Sequence, residues 1–294
     1  MLGQHPQMFG LPEMRVFEVD SMREWWFRYG AGNADGDGLF RSVAEIVFGG
    51  QTPGTVRRAK EWVRQRCRLC QSAEVFDELG ERLRPLRLVE KTPLEGVHER
   101  EIRQGLERRF RSSRQSFFIH LVRHPIDYCR SQLQHLRRMA EVAPDRQRVE
   151  RRYAWVTDAT TDPPTIDPQV LWLRVNQSIA EFLDRIPKSR WMRIRSESVL
   201  QDPDGFLVGA SKWLGVRYDP LALDEMKHPE RSPFACIGPI NARWGSDPSF
   251  LSDPRLRTSR AGIAQCLNQA LPWRKDGKGL TKPVRSLAME FGYQ

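Results

Sequence analysis

SFFIHLVRHPIDYCRS, residues Ser116–Ser131, decides the fold. Phe117–Val122 is an apolar run interrupted only by His120, of strand rather than helix length, and it stops at Arg123. Pro125 follows where the first turn of a helix tolerates proline, and Ile126–Met139 reads as that helix. A strand that is apolar along its whole length is expected in a parallel sheet covered on both faces. The pattern recurs outward from this stretch. Leu86–Val89 predicts a strand running into Glu90-Lys91-Thr92-Pro93, and Trp191–Arg195 predicts another. Phe9–Leu11 reads as a short strand entering Pro12, after a helical tail at Met1–Gln4. Helices are expected over Asp20–Tyr29, Leu39–Phe48, Thr55–Cys70, Ala73–Leu83, His98–Phe110, Val170–Ile186 and Phe206–Leu214. Gly30–Gly38 reads as a turn-rich loop, Ala143–Pro168 as loop-rich and Arg231–Arg257 as a long ordered loop, with two modest helices closing the chain. Strands alternating with helices predict an α/β fold, a parallel sheet flanked by helices. With no repeat and no linker, 1–294 reads as a single domain.

Composition narrows the classes. Hydrophobic residues make up 39% of the chain and aromatics 10%, enough apolar surface for a folded core, which excludes a disordered tail protein. No apolar stretch approaches the roughly 20 residues of a membrane helix, and Met1–Phe9 lacks the parts of a signal peptide. Five cysteines, few and odd in number, do not make a disulfide framework and point to a reducing, cytoplasmic compartment. The formal charge is +10, and all but eight of the 47 basic residues are arginine. Arginine spread along the whole chain reads first as coding bias. What remains is a general attraction to anions.

In parallel α/β sheets, ligands bind beyond the carboxyl ends of the strands. Three strand exits carry charge there: Glu13, a candidate base; Lys91, a mobile ammonium; and Arg123, a guanidinium suited to phosphate or sulfate. Ser131 follows Arg123 by two helical turns, near a helix start whose free N–H groups favour an anion. Singly, each reads as a surface ion pair. Three in one chain read as a site.

These residues resemble the PAPS-dependent sulfotransferases, particularly the tyrosylprotein-type and related bacterial members. RHPIDYCRS, Arg123–Ser131, is similar to the motif whose Arg and Ser hold the 3′-phosphate of the donor nucleotide. VEKTP, Val89–Pro93, is similar to the segment whose Lys meets the transferring sulfuryl group. HPQMFGLPEMR, His5–Arg15, is similar to the segment carrying a catalytic Glu and, two residues on, an Arg, which fall on Glu13 and Arg15. RIRSESVLQDPDGFLVGASKWLGV resembles the family's late strand and following helix. The resemblance implies the P-loop NTPase-like sulfotransferase fold, PAPS as donor and no metal. It assigns Glu13, Lys91 and Arg15 to catalysis and Arg123 and Ser131 to the nucleotide.

Two departures stand out. The family's PRSGTT-like phosphosulfate loop, between its first strand and first helix, has no counterpart. GKGLTK, Gly277–Lys282, has the wrong spacing, and the expectation is a fold with the first strand and loop missing. Ser196 stands where the family often has Tyr, ahead of Glu197. Other patterns do not add up to sites. Cys67 and Cys70 form a lone CxxC without the further ligands zinc needs. Asn33–Gly38 opens like a calcium loop, but Glu45 is one place late for its bidentate ligand.

The expected function is sulfuryl transfer from PAPS to a hydroxyl or amine by in-line displacement, with PAPS/PAP and an unnamed acceptor as partners. The alternative is an N-terminally truncated or non-catalytic relative, the natural product either starting upstream of Met1 or being a non-functional remnant. A basic nucleic-acid-binding protein is allowed by charge but by no motif.

Overall fold

The structure, a computed structural model, describes residues 1–30, 32–91, 99–112, 116–142, 156–158, 165–256, 266–274 and 276–294. Its strands are β1 (Met8–Gly10), β2 (Arg87–Val89), β3 (Phe118–Val122), β4 (Thr157–Asp158), β5 (Thr165–Ile166) and β6 (Trp191–Arg195). The helices that concern the site are α1 (Met22–Trp25), α2 (Asp37–Phe48), α3 (Pro53–Arg66), α4 (Ser72–Arg82), α5 (Glu99–Ser112), α6 (Pro125–Val142), α7 (Gln169–Leu183), α8 (Ser196–Gln201), α9 (Pro203–Leu214) and α10 (Lys282–Glu290). The chain divides into two compact units interleaved along the sequence.

The first unit comprises Met1–Pro93, Gln104–Ser116 and Asp202–Arg257. Here β1 and β2 pair in parallel, with Met8 opposite Arg87 and Gly10 opposite Val89. The Leu11 N–H donates to the Val89 carbonyl at 2.8 Å, extending the pairing by a step. Sequence dictates the surrounding helices locally. Ser21 caps α1 through the Glu24 N–H, Thr52 and Thr55 form a reciprocal capping box on α3 with Pro53 at its first position, and Gly49 ends α2 in the left-handed conformation. One face of each is apolar. Trp25, Leu39, Phe40, Val43, Val56, Val63 and Leu79 close together into a core.

The second unit comprises Leu94–Arg103, Phe117–Gln201 and Thr258–Gln294. Here β3 and β6 pair in parallel from Phe118 opposite Trp191 to Val122 opposite Arg195. Val122, Ile126 and Trp172 pack with Leu280, Val284, Ala288, Phe291 and Tyr293. A small antiparallel ribbon, β4 with β5, completes the pairings.

Two expectations need correction. Instead of one sheet, the described strands form three two-stranded sheets. Nor is β3 buried on both faces. His120 and Val122 are buried, but Leu121, on the opposite face, is 57% exposed. Apolar character along the run did not distinguish the face that packs on the core from the one that does not, because successive strand residues alternate sides.

Candidate active site

Parallel pairing puts the exits of β1 and β2 at the same end of their ribbon. The turn after β1 carries Glu13, and Lys91 follows β2 by two residues. The Lys91 ammonium donates directly to a Glu13 carboxylate oxygen. Glu13 is mostly covered whereas the Lys91 side chain is largely exposed, so the fixed partner is the carboxylate and the mobile one the ammonium.

Arg15 sits on the far side of Glu13, with Nη2 4.0 Å from its Oε2. Its backbone is left-handed, φ 56°, a region costly for a side chain with a Cβ. What holds it there is Glu18, a buried carboxylate that accepts from Arg15 Nη1 at 3.1 Å and from the Tyr29 hydroxyl. Burial raises the Glu18 pKa against the pull of Arg15 and Tyr29, and burial together with the Glu18 charge drives the Tyr29 phenol up. Burial would lower the Arg15 pKa, but Glu18 and the other nearby anions outweigh it. The guanidinium lies 5.6 Å from the Tyr29 ring centroid. Thus Lys91, Glu13, Arg15, Glu18 and Tyr29 form one chain of alternating charge ending in a phenol.

The Glu13 backbone is as tightly placed as its side chain. Its N–H donates to the Gly245 carbonyl at 2.7 Å. On the other side, a Cβ built on Gly38 in the first turn of α2 would meet the Glu13 carbonyl oxygen at 2.1 Å. Gly245, at φ 122°, packs against Gly38 in turn, where a Cβ on Gly245 would meet the Gly38 Cα at 2.8 Å. Only glycine fits both positions.

In the second unit, Arg123 directly follows β3 and is exposed, and among the described residues its side chain makes no ion pair. Ser131 is half-buried in α6. The peptide around Arg123 is fixed from two helices. Trp172 Nε1 on α7 donates to the Arg123 carbonyl at 3.0 Å. Glu197, on α8, accepts the His124 N–H at 2.8 Å with one oxygen and the Tyr293 hydroxyl at 2.9 Å with the other. The His124 and Tyr293 rings stack edge to face, their centroids 5.0 Å apart. In α6, Asp127 lies in the first turn, where a helix start favours negative charge.

The structure therefore brings Glu13, Lys91 and Arg15 together in the first unit and sets Arg123 and Ser131 around the start of α6 in the second. Thr92 and Pro93, part of the strand-end motif, lie outside the described residues. Sequence reading missed Glu18, Tyr29, Trp172 and the double role of Glu197. Glu18 carried a signal, since it stands alone among Val16, Phe17 and Val19.

Short parallel strands among helices, with charged residues just beyond their carboxyl ends, make this a mixed α/β fold. The sulfotransferase family model matches residues 1–220, and the chain belongs to this family of enzymes. Among solved structures, the sulfotransferase domain of the curacin biosynthetic pathway is similar over 100% of this chain and 91% of its own, at 19% identity and TM-score 0.71. The sulfotransferase domain of the Synechococcus PCC 7002 olefin synthase is similar over 100% and 88%, at 20% identity and TM-score 0.70. The fold, short parallel strands among helices, is that of these domains. No curated protein matches the chain.

Proposed function

We propose that residues 1–294 act as one sulfotransferase domain that moves a sulfuryl group from PAPS to an acceptor hydroxyl or amine. The observation that carries this reading is the direct pairing of Glu13 with Lys91 at adjoining strand exits. PAPS supplies an activated sulfuryl group on a phosphate leaving group. Glu13 takes the acceptor's proton on its carboxylate. Lys91, on a flexible exposed stem, turns from Glu13 toward the sulfuryl oxygens and offsets the charge that develops there. Arg15, locked by Glu18, keeps Glu13 aimed. Arg123 is the group that fits the 3′-phosphate: it is exposed, free of a carboxylate among the described residues and held by its own carbonyl, with Ser131 as a second donor. In-line displacement depends mainly on such positioning and charge stabilisation.

A second reading is favoured by one observation. The sequence 1–294 contains no PRSGTT-like phosphosulfate loop, the element whose backbone N–H groups would wrap a 5′-phosphosulfate. A relative that binds the nucleotide without transferring would keep Arg123 and Ser131. The five cysteines are free, in keeping with a cytoplasmic enzyme. Among the described residues, no helix is long and apolar enough to cross a membrane.

The test uses residues 1–294 and a version extended through the upstream reading frame, each incubated with ³⁵S-labelled PAPS and a panel of phenol, aliphatic alcohol, tyrosine-peptide and amine acceptors. Transfer that disappears in Glu13→Gln supports the reading. Retention on PAP-agarose, competed by PAP but not by DNA, with no transfer from either version supports the second reading. Full turnover in Glu13→Gln removes Glu13 as the base.

A further inference from the structure

Segment 233–245 folds back over the start of α2, and the backbone of one residue in it, Trp244, is held on both sides of its Cα. Asp37 Oδ2 accepts the Trp244 N–H at 3.1 Å, and Arg41 Nη1 donates to the Trp244 carbonyl at 3.1 Å. The next residue is Gly245, whose carbonyl receives the Glu13 N–H. We infer that Arg41 and Asp37 are positioning residues for Glu13, acting through the Trp244–Gly245 backbone. The inference rests on the role proposed above for Glu13.

Arg41 is fully buried. Withdrawing a guanidinium from water costs several kcal/mol unless its donors are engaged. Each nitrogen has a partner. Nε donates to Gln51 Oε1 at 2.6 Å, and Nη2 lies 3.7 Å from the Cys236 sulfur. Gln51 also donates to the Pro233 carbonyl at 2.8 Å, so the segment is tied at its beginning as well. Within the segment, Gly238 N–H to Arg243 carbonyl and Ala242 N–H to Pro239 carbonyl bonds close it into a compact loop. Desolvation lowers the Arg41 pKa and raises that of Asp37. An apolar side chain at position 41 would avoid that cost. What the two charged residues add is a fixed direction for the backbone on both sides of Trp244, and the next carbonyl, that of Gly245, meets the N–H of the proposed base.

Position along the chain makes this more than core packing. Trp244 and Gly245 lie beyond residues 1–220, the part that matches the family model. The base is thus seated by a segment outside that match, and Arg41 and Asp37 connect the two.

The experiment compares Arg41→Met, Asp37→Ala and Asp37→Asn with the wild type in two readouts. The first is hydrogen exchange at the Glu13 amide, measured by NMR without any ligand. The second is kcat and KM for PAPS with whichever panel acceptor turns over fastest. In Arg41→Met and Asp37→Ala, the Glu13 amide is expected to exchange about tenfold faster or more, as for loss of a supporting hydrogen bond. In both, kcat is expected to fall about tenfold or more while KM for PAPS stays within about twofold. Asp37→Asn, which keeps an acceptor oxygen, should recover most of both. If Arg41→Met does not fold, the Asp37 pair carries the test. Wild-type kcat or wild-type Glu13 exchange in Asp37→Ala overturns the inference. A wild type inactive on every acceptor instead overturns the sulfuryl-transfer reading, while amide exchange still reads the clamp.

Discussion

Replacing Gly38 by alanine adds one methyl group behind Glu13. By helix propensity alone, the change in the first turn of α2 should gain up to about 1 kcal/mol. The geometry says otherwise. The new Cβ would lie 2.1 Å from the Glu13 carbonyl oxygen, 2.8 Å from its carbon and 3.3 Å from its nitrogen. These are backbone atoms, unable to turn aside as a side chain would. Restoring ordinary contact requires a shift on the order of 1 Å in either Glu13 or the start of α2. Overpacking of this kind costs about 1–3 kcal/mol, which outweighs the propensity gain and leaves a net loss of roughly 1–2 kcal/mol. For a chain of this size that is a drop in Tm of roughly 2–3 °C. Catalysis should suffer more than stability, because a displacement of about 1 Å at a reacting group can cost on the order of 100-fold in rate. Thermal unfolding and ³⁵S transfer on the same preparation decide the matter. An unchanged or higher Tm with undiminished turnover would refute the claim that Gly38 is the floor on which Glu13 rests.

Arg123→Ala should weaken PAP binding by roughly 10- to 150-fold, the range for a lost hydrogen bond to a charged group, with thermal stability nearly unchanged because the side chain is exposed; titration calorimetry with PAP measures it. Burial, reinforced by the Arg193 guanidinium and opposed by the hydrogen bond to Asn176, lowers the His120 pKa to about 4. The unfolded chain, with an ordinary histidine near 6.5, therefore binds the extra proton first. The stability contribution is fully present above about pH 6.5 and is lost as pH falls toward 4, by up to about 3 kcal/mol. Urea titrations across this interval should show the decline, and His120→Gln should flatten it.

Much of this was legible because strands and their exits are local. Trp191–Arg195 is a strand with the bounds its residues predict, and Glu13, Lys91 and Arg123 stand at strand ends because a short apolar run breaks there into charge. The rest depends on partners distant in sequence. Nothing near Arg41 announces that it grips the peptide of Trp244, and Asp37 read only as part of a turn. Glu197 looked like the neighbour of an unusual serine. Its function is set by His124 from one side and Tyr293 from the other, and no periodicity spans such intervals. Leu121 shows a different limit: alternation identifies two faces of a strand but not which of them the rest of the chain will cover.

The Glu197 bonds have a consequence for the order of events during synthesis. The turn holding Arg123 is made early, but one of the groups steadying its clamp, the Tyr293 hydroxyl, is translated long afterwards. At ~5–20 residues per second the nascent chain spends on the order of ten seconds with β3 made and Tyr293 not yet joined to it. For the first part of that interval β3 waits without β6, which alone pairs with it among the described residues. A two-stranded ribbon is marginal even when complete. The second unit, which reaches to Gln294, is therefore completed only when translation is nearly over.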